Sequence, residues 1–159
     1  MKLYILRHAT AKDLGNGILT DESRPLSDQG NREALNLAAY LKARNTEIDL
    51  IVHSPLTRTT QTAEHVAASL SVKSQASDKL STAGDLHTHI QVLDEFKSLA
   101  RLLIIGHQPV LAQFIFKLVG ADRKIGLTYP PCSLAVMDVE HHAYGWGGLL
   151  GSLLLPTDL

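Results

Sequence analysis

Cysteine is nearly absent from this chain. Cys132 stands alone among 159 residues, so no disulfide can close within it, which fits a reducing compartment. An excess of charge of either sign is missing too: 15 Lys and Arg face 16 Asp and Glu, for a formal net charge of −1. The basic residues are scattered rather than gathered into a patch, which argues against a general role on nucleic acid or on a membrane surface. No long hydrophobic run occurs. Met1–Leu6 opens like a signal peptide, but Arg7 and His8 interrupt it before an apolar core forms. Leu149–Leu155 is far shorter than the ~20 residues of a bilayer span. Repeats, low-complexity tracts and Pro/Ser-rich linkers are lacking. These absences lead us to expect a cytoplasmic protein of one domain spanning residues 1–159.

What remains is ordinary globular composition, 45% hydrophobic and 19% charged, with apolar runs that alternate with segments of helical period. Lys2–Leu6 reads as a strand and Arg7–Pro25 as a long polar loop, a length that usually carries function. Ser27–Arg44 reads as a helix capped by Ser27, with Ala34, Leu35, Ala38 and Leu41 on one face. Asp49–His53 is a second strand. Ser54-Pro55 then supplies an N-cap and a first-turn proline for a helix running to about Leu70, with Leu56, Ala63, Ala67 and Leu70 inward. Val72–Gln75 reads as a short strand, Leu86–Leu99 as a helix, Arg101–Ile105 as a strand and Val110–Val119 as a buried helix. Ser133–Val139 and Gly145–Leu154 read as late strands joined by a hairpin. The pattern predicts a three-layer α/β/α sandwich around a mostly parallel sheet. Ligands in such sheets bind beyond the carboxyl ends of the strands, which directs attention to Arg7-His8, to His53-Ser54 with the helix after it, and to Gly106-His107.

Topology alone therefore brings Arg7, His8, Arg58 and His107 to one edge of the sheet. Two guanidinium forks match phosphate oxygens, and a helix N-terminus adds N–H groups and partial positive charge. Phosphoryl transfer is mainly positioning and charge stabilisation, and this cradle supplies both without a metal or other cofactor. A neutral imidazole, with an ordinary pKa of about 6.5, is a nucleophile near neutral pH. Charge does not say which histidine attacks.

The motifs resemble those of the histidine phosphatase superfamily, also called phosphoglycerate mutase-like. Leu6-Arg7-His8-Ala9 resembles its Arg-His-Gly motif, with Ala9 in place of the commoner Gly. Ser54-Pro55-Leu56-Thr57-Arg58-Thr59-Thr60-Gln61-Thr62-Ala63-Glu64 resembles its second arginine motif, and Ile105-Gly106-His107-Gln108-Pro109 its second histidine motif. Arg24-Pro25-Leu26-Ser27 with Gly30 resembles the segment before the first helix. The compact length and Leu80-Ser81-Thr82-Ala83-Gly84-Asp85 are most similar to the SixA-type phosphohistidine phosphatases. The resemblance implies a phosphoglycerate mutase-like fold, phosphorylation of His8, and a phosphoryl group held by Arg7, Arg58 and His107. Arg24 and Asp85 are further candidates for the pocket; Asp85 also suits a helix N-cap.

In many members of that superfamily a Glu between the second arginine and second histidine motifs protonates the leaving oxygen. The matching stretch here offers Lys79, Leu80, Ser81 and Thr82, with Asp78 and Asp85 as the nearest carboxylates. An alkoxide leaves poorly without a proton donor, whereas an imidazole depends on one less. The expected substrate is thus a phosphohistidine on a protein partner such as a phosphotransfer domain. The alternatives are a phosphatase of a small phosphorylated metabolite and a catalytically silent module that binds phosphorylated ligands. His53, His65, His87, His89, His141 and His142 form no recognisable metal-ligand pattern. Cys132 has no arginine closing a phosphate loop after it, which argues against a cysteine phosphatase.

Overall fold

The computed structural model describes residues 1–121 and 127–158. Its strands are β1 (Lys2–Arg7), β2 (Leu50–His53), β3 (Ser74–Ala76), β4 (Arg101–Gly106), β5 (Leu134–His142) and β6 (Gly145–Leu154). Its α-helices are α1 (Asp28–Ala43), α2 (Thr57–Leu70), α3 (Leu86–Glu95) and α4 (Val110–Val119). The strands form one sheet in the order β3-β2-β4-β1-β5-β6. β3, β2, β4 and β1 run parallel, and β5 and β6 are added antiparallel.

Alternation along the central strands assigns side chains to two cores, as the period of two requires. Leu3, Ile5, Leu102 and Ile104 meet α3 and α4 through Val92, Leu93, Leu111 and Phe114. Leu6, Leu103 and Ile105 meet α1 and α2 through Leu37, Leu41, Ala63 and Val66 on the other face. This is the expected three-layer sandwich, and each fully buried Leu or Ile contributes roughly 1.5–3 kcal/mol of transfer free energy.

Several boundaries and faces differ from expectation. On α1 the buried apolar stripe is Ala34, Leu37, Ala38 and Leu41, while Leu35 is exposed. The packed stripe turns out to follow an i, i+3, i+4, i+7 spacing from Ala34. β3 starts two residues later and ends one residue later than read, and Ile51 and Val52 pair with Ser74 and Gln75. α3 ends at Glu95; Phe96 is its C-cap, and Leu99 N–H turns back to the Phe96 carbonyl. α2 begins at Thr57 with Leu56 at its N-cap, so Ser54-Pro55 precedes the helix rather than capping it.

Candidate active site

Three parallel strands stop at the same edge, β1 delivering two candidate side chains there and β2 and β4 one each. Arg7 ends β1 and His8 follows it, with His8 N–H bonded to the Gly106 carbonyl at 3.2 Å. Ser54 follows β2, with its N–H on the Ile105 carbonyl at 3.0 Å. His107 follows β4. The ladders thus continue one residue past β1 and β2, which fixes the spacing of these groups through backbone rather than side-chain packing. Arg58 enters from the first turn of α2.

The tautomer of each histidine follows from its neighbours. The His8 Nδ1 donates to the Ala9 carbonyl at 2.8 Å. Its Nε2 therefore carries the lone pair, and that lone pair accepts from Arg58 Nε at 3.3 Å. A guanidinium can only donate, so His107 Nδ1, 3.4 Å from Arg58 Nη2, is the acceptor. The proton of His107 then sits on Nε2 and is donated to Ser54 Oγ at 2.8 Å. The two imidazole rings lie 5.1 Å apart between centroids.

Both rings are neutral at pH 7. Burial lowers the His8 pKa to about 4; the bond to the Ala9 carbonyl opposes this, and the fields of Arg58, Arg7 and Arg24 reinforce it. Burial, then the neighbouring His8 and Arg58, lowers His107 to about 3. A buried, neutral imidazole with its lone pair in a cationic pocket is in the correct state to attack phosphorus.

Arg7 donates from Nη1 to the Tyr129 carbonyl at 2.8 Å, while its buried Nε has no hydrogen-bond partner among the described residues. Arg24 donates from Nε to the Lys12 carbonyl at 2.6 Å. Arg7, His8, Arg24, Arg58 and His107 line one hollow together with Thr10, Thr82 and Gln108, so five of the six sequence candidates converge. Asp85 is the exception. Its carboxylate caps α3, accepting from Thr88 N–H at 2.9 Å while Thr88 Oγ1 accepts from Asp85 N–H at 3.0 Å, and it lies outside the residues lining the hollow. A capping box uses the carboxylate locally, which is the physical reason it does not reach the pocket. Asp78 is exposed on a 3-10 turn, and among the described residues no carboxylate lines the hollow.

The structure also brings in residues that the sequence reading passed over. Asp21 accepts from Arg58 Nη2 at 2.9 Å and from Arg24 Nη1 at 3.0 Å, and its carbonyl accepts from Arg58 Nη1 at 2.7 Å. Burial pushes its carboxyl up, but the hydrogen bonds from Arg24 and Arg58 outweigh this and hold it below the usual carboxylate range. The one signal in sequence was its spacing of three from Arg24. Thr62 Oγ1 accepts from Ala9 N–H at 3.2 Å and donates to the Arg58 carbonyl at 2.7 Å, tying the segment after His8 to α2. Glu33 of α1 holds Thr10 through both its backbone and its hydroxyl. Ser54, read as a cap, is the partner of His107 instead.

The remaining candidates fall elsewhere. Cys132 is buried behind the site, where its N–H bridges the Arg7 and His8 carbonyls at 3.1 and 3.0 Å, and burial pushes its thiol up to about 12. His89 is buried with Nδ1 on the Asp85 carbonyl at 2.8 Å. Among the described residues no group of three or more His, Cys, Asp or Glu side chains converges, and no helix is long and apolar enough to cross a membrane.

The chain is 30% identical over 123 residues to the phosphohistidine phosphatase SixA of Escherichia coli (strain K12), covering 74% of each chain. It matches the structure of a protein histidine phosphatase SixA complexed with tungstate at a TM-score of 0.85 and 25% identity, over 99% of both chains. A mycobacterial glucosyl-3-phosphoglycerate phosphatase complexed with VO3 shares the fold at a TM-score of 0.75 and 14% identity, over 95% of this chain and 97% of that one. Residues 3–88, which carry His8, Arg24 and Arg58, match the family described as histidine phosphatase superfamily (branch 1). By that match and the identity to SixA, the chain belongs to the histidine phosphatase superfamily and is SixA-like.

Proposed function

We propose that this protein hydrolyses phosphohistidine on a protein partner through a covalent phospho-His8 intermediate, without a metal ion. One observation carries the reading: the unprotonated His8 Nε2, whose lone pair accepts from Arg58 Nε, faces a cationic pocket lined by Arg7, Arg24 and Arg58, and no carboxylate is among the described residues that line it.

In the first step His8 Nε2 attacks phosphorus in line. The bond from phosphorus to the substrate imidazole breaks as the bond to Nε2 forms. A substrate imidazole protonated on its other ring nitrogen leaves as a neutral molecule, so it requires no acid from the enzyme. Arg58 gives up its contact with Nε2 and, with Arg7, turns its donors to the phosphoryl oxygens. The bond from Nδ1 to the Ala9 carbonyl holds the ring and steadies the positive charge that develops on it. Water then attacks phosphorus, the bond to Nε2 breaks to return neutral His8, and the phosphate departs carrying the water's protons. The cationic groups offset the charge on the phosphoryl oxygens in both steps. The likeness to SixA supports a phosphohistidine substrate.

The test is a phosphohistidine peptide run beside a panel of sugar and nucleoside phosphates, with and without a chelator. We expect the peptide to be preferred, chelation to leave its turnover unchanged, and an acid-labile phosphoryl group to appear on His8 but not in His8→Asn. Preferential turnover of a small phosphomonoester would assign the protein to metabolite chemistry instead. Binding of phosphorylated ligands with no label on His8 would make it a silent module.

A further inference from the structure

The long loop between His8 and α1 is docked where the chemistry is. Lys12 N–H bonds to the Pro25 carbonyl at 2.9 Å, closing the two arms of the loop. Thr57 N–H, one of the orphan donors at the start of α2, bonds to the Glu22 carbonyl at 3.0 Å. The loop thus satisfies the helix end that carries Arg58, and it delivers Asp21 against the outer side of that guanidinium. One carboxylate then spans two cationic groups: Oδ2 takes Arg58 Nη2 at 2.9 Å and Oδ1 takes Arg24 Nη1 at 3.0 Å. Asp21 itself is not among the residues lining the hollow; it meets the hollow through its contacts with these two lining arginines.

From this bridge we infer that Asp21 is a positioning residue that sets Arg58 and Arg24 as a unit for phosphoryl transfer. The inference rests on the phosphoryl-transfer reading of the site. A guanidinium on a flexible stem is useful in a transition state only if its fork is already aimed. Arg58 is aimed at His8 Nε2 because its other two nitrogens are pinned by Asp21, one by the carboxylate and one by the backbone carbonyl. The same carboxylate competes with the phosphoryl group for Arg58 Nη2. Asp21 therefore orients the arginine while limiting how tightly a ground-state phosphate is held. Removing it separates the two quantities: catalysis falls, and affinity for inorganic phosphate does not.

The experiment compares Asp21→Asn, Asp21→Ala and Asp21→Glu with wild type. The rate at which phosphoramidate labels His8 and the dissociation constant of inorganic phosphate are both measured. Asp13→Asn is the control, since it removes the same charge from the same loop, where Asp13 is fully exposed and 3.6 Å from Arg24 Nη2. We expect Asp21→Ala to slow labelling by roughly 10- to 100-fold, the scale for losing hydrogen bonds to a charged group. Phosphate affinity should be equal or greater, Asp21→Glu should restore part of the rate, and Asp13→Asn should match wild type. Labelling of Asp21→Ala at the wild-type rate would overturn the inference, as would a loss of phosphate affinity in step with the rate. Absence of label in the wild type would instead sink the proposed function, so the two failures are distinct.

Discussion

Arg58 Nε points at His8 Nε2 across 3.3 Å, so that the lone pair of the proposed nucleophile is covered by the group that the proposed cycle turns to the phosphoryl oxygens. The same guanidinium reaches His107 Nδ1 and Asp21 through its other nitrogens. Only a planar fork with several fixed donors can make all of these contacts. Arg58→Lys is therefore not conservative. A single ammonium cannot span the two imidazoles and the carboxylate, and we expect kcat to fall by roughly 100- to 1,000-fold, the scale for losing one preorganised donor in a transition state. Steady-state turnover of a phosphohistidine peptide checks this; retention of a third or more of the activity would mean that Arg58 is not the central donor.

The depressed histidine pKa values give a pH signature. Protonation of His8, with its pKa lowered to about 4 by burial first of all, should be followed directly through its ring resonances by NMR. An imidazole titrating near its ordinary 6.5 would contradict the buried geometry. The stability consequence has a definite sign. The unfolded chain binds protons at these rings below 6.5 and the folded chain does not, so unfolding gains as pH falls. The contribution is full above pH 6.5, erodes as pH drops through about 4 for His8 and about 3 for His107, and loses nothing further below. Thermal midpoints measured across that window should decline less steeply for His8→Gln than for wild type.

Much of this arrangement was legible in the chain because it follows from alternation and strand ends. The apolar runs ending at Arg7, His53 and Gly106 became parallel strands, and the edge rule placed Arg7, His8, Arg58 and His107 together. The misreadings share a cause, which is a local rule overridden by a distant partner. Ser54-Pro55 has the form of a helix start, yet the Ser54 hydroxyl is taken by His107, 53 residues away. The orphan N–H of Thr57 is taken by the Glu22 carbonyl from the loop. Asp21 sits in a polar segment without periodicity, so nothing local marked it as the bridge between Arg24 and Arg58. Asp85 went the other way: the resemblance made it a candidate for the pocket while its residue type suited an N-cap, and the local capping box claimed it.

Ser54 offers a sharper test of how His107 is held. The hydroxyl is fully buried and accepts the Nε2 proton of His107, which fixes the tautomer that leaves Nδ1 toward Arg58. Ser54→Ala strands a buried N–H, at a cost of about 1–3 kcal/mol. We expect a lowered unfolding free energy of that size together with reduced kcat, because the other tautomer of His107 presents a donor to Arg58 where an acceptor is needed. Ser54→Thr keeps the hydroxyl and should retain more activity than the alanine variant. Equal activity in all three proteins would show that the hydroxyl does not set the ring.

Gly30 connects helix packing to the segment that follows His8. It lies in the first half of α1, where Ala is ordinarily the better helix former by about 1 kcal/mol. Here a Cβ would stand 1.9 Å from the Thr10 carbonyl oxygen, a backbone atom that cannot rotate away. The same carbonyl accepts from Ser27 N–H at 2.9 Å and from the Ser27 hydroxyl at 3.1 Å, so it is held in place on the helix side as well. Thr10 lines the hollow two residues after His8. Gly30→Ala must therefore push α1 off the strand-loop junction or drag Thr10 with it. We expect the propensity gain to be overwhelmed, with a net loss of roughly 1–3 kcal/mol, the scale for forcing added atoms into a filled contact. Chemical denaturation measures the first effect and the rate of His8 phosphorylation the second. A variant as stable as wild type and labelled as fast would mean that α1 can slide without disturbing the segment that carries His8.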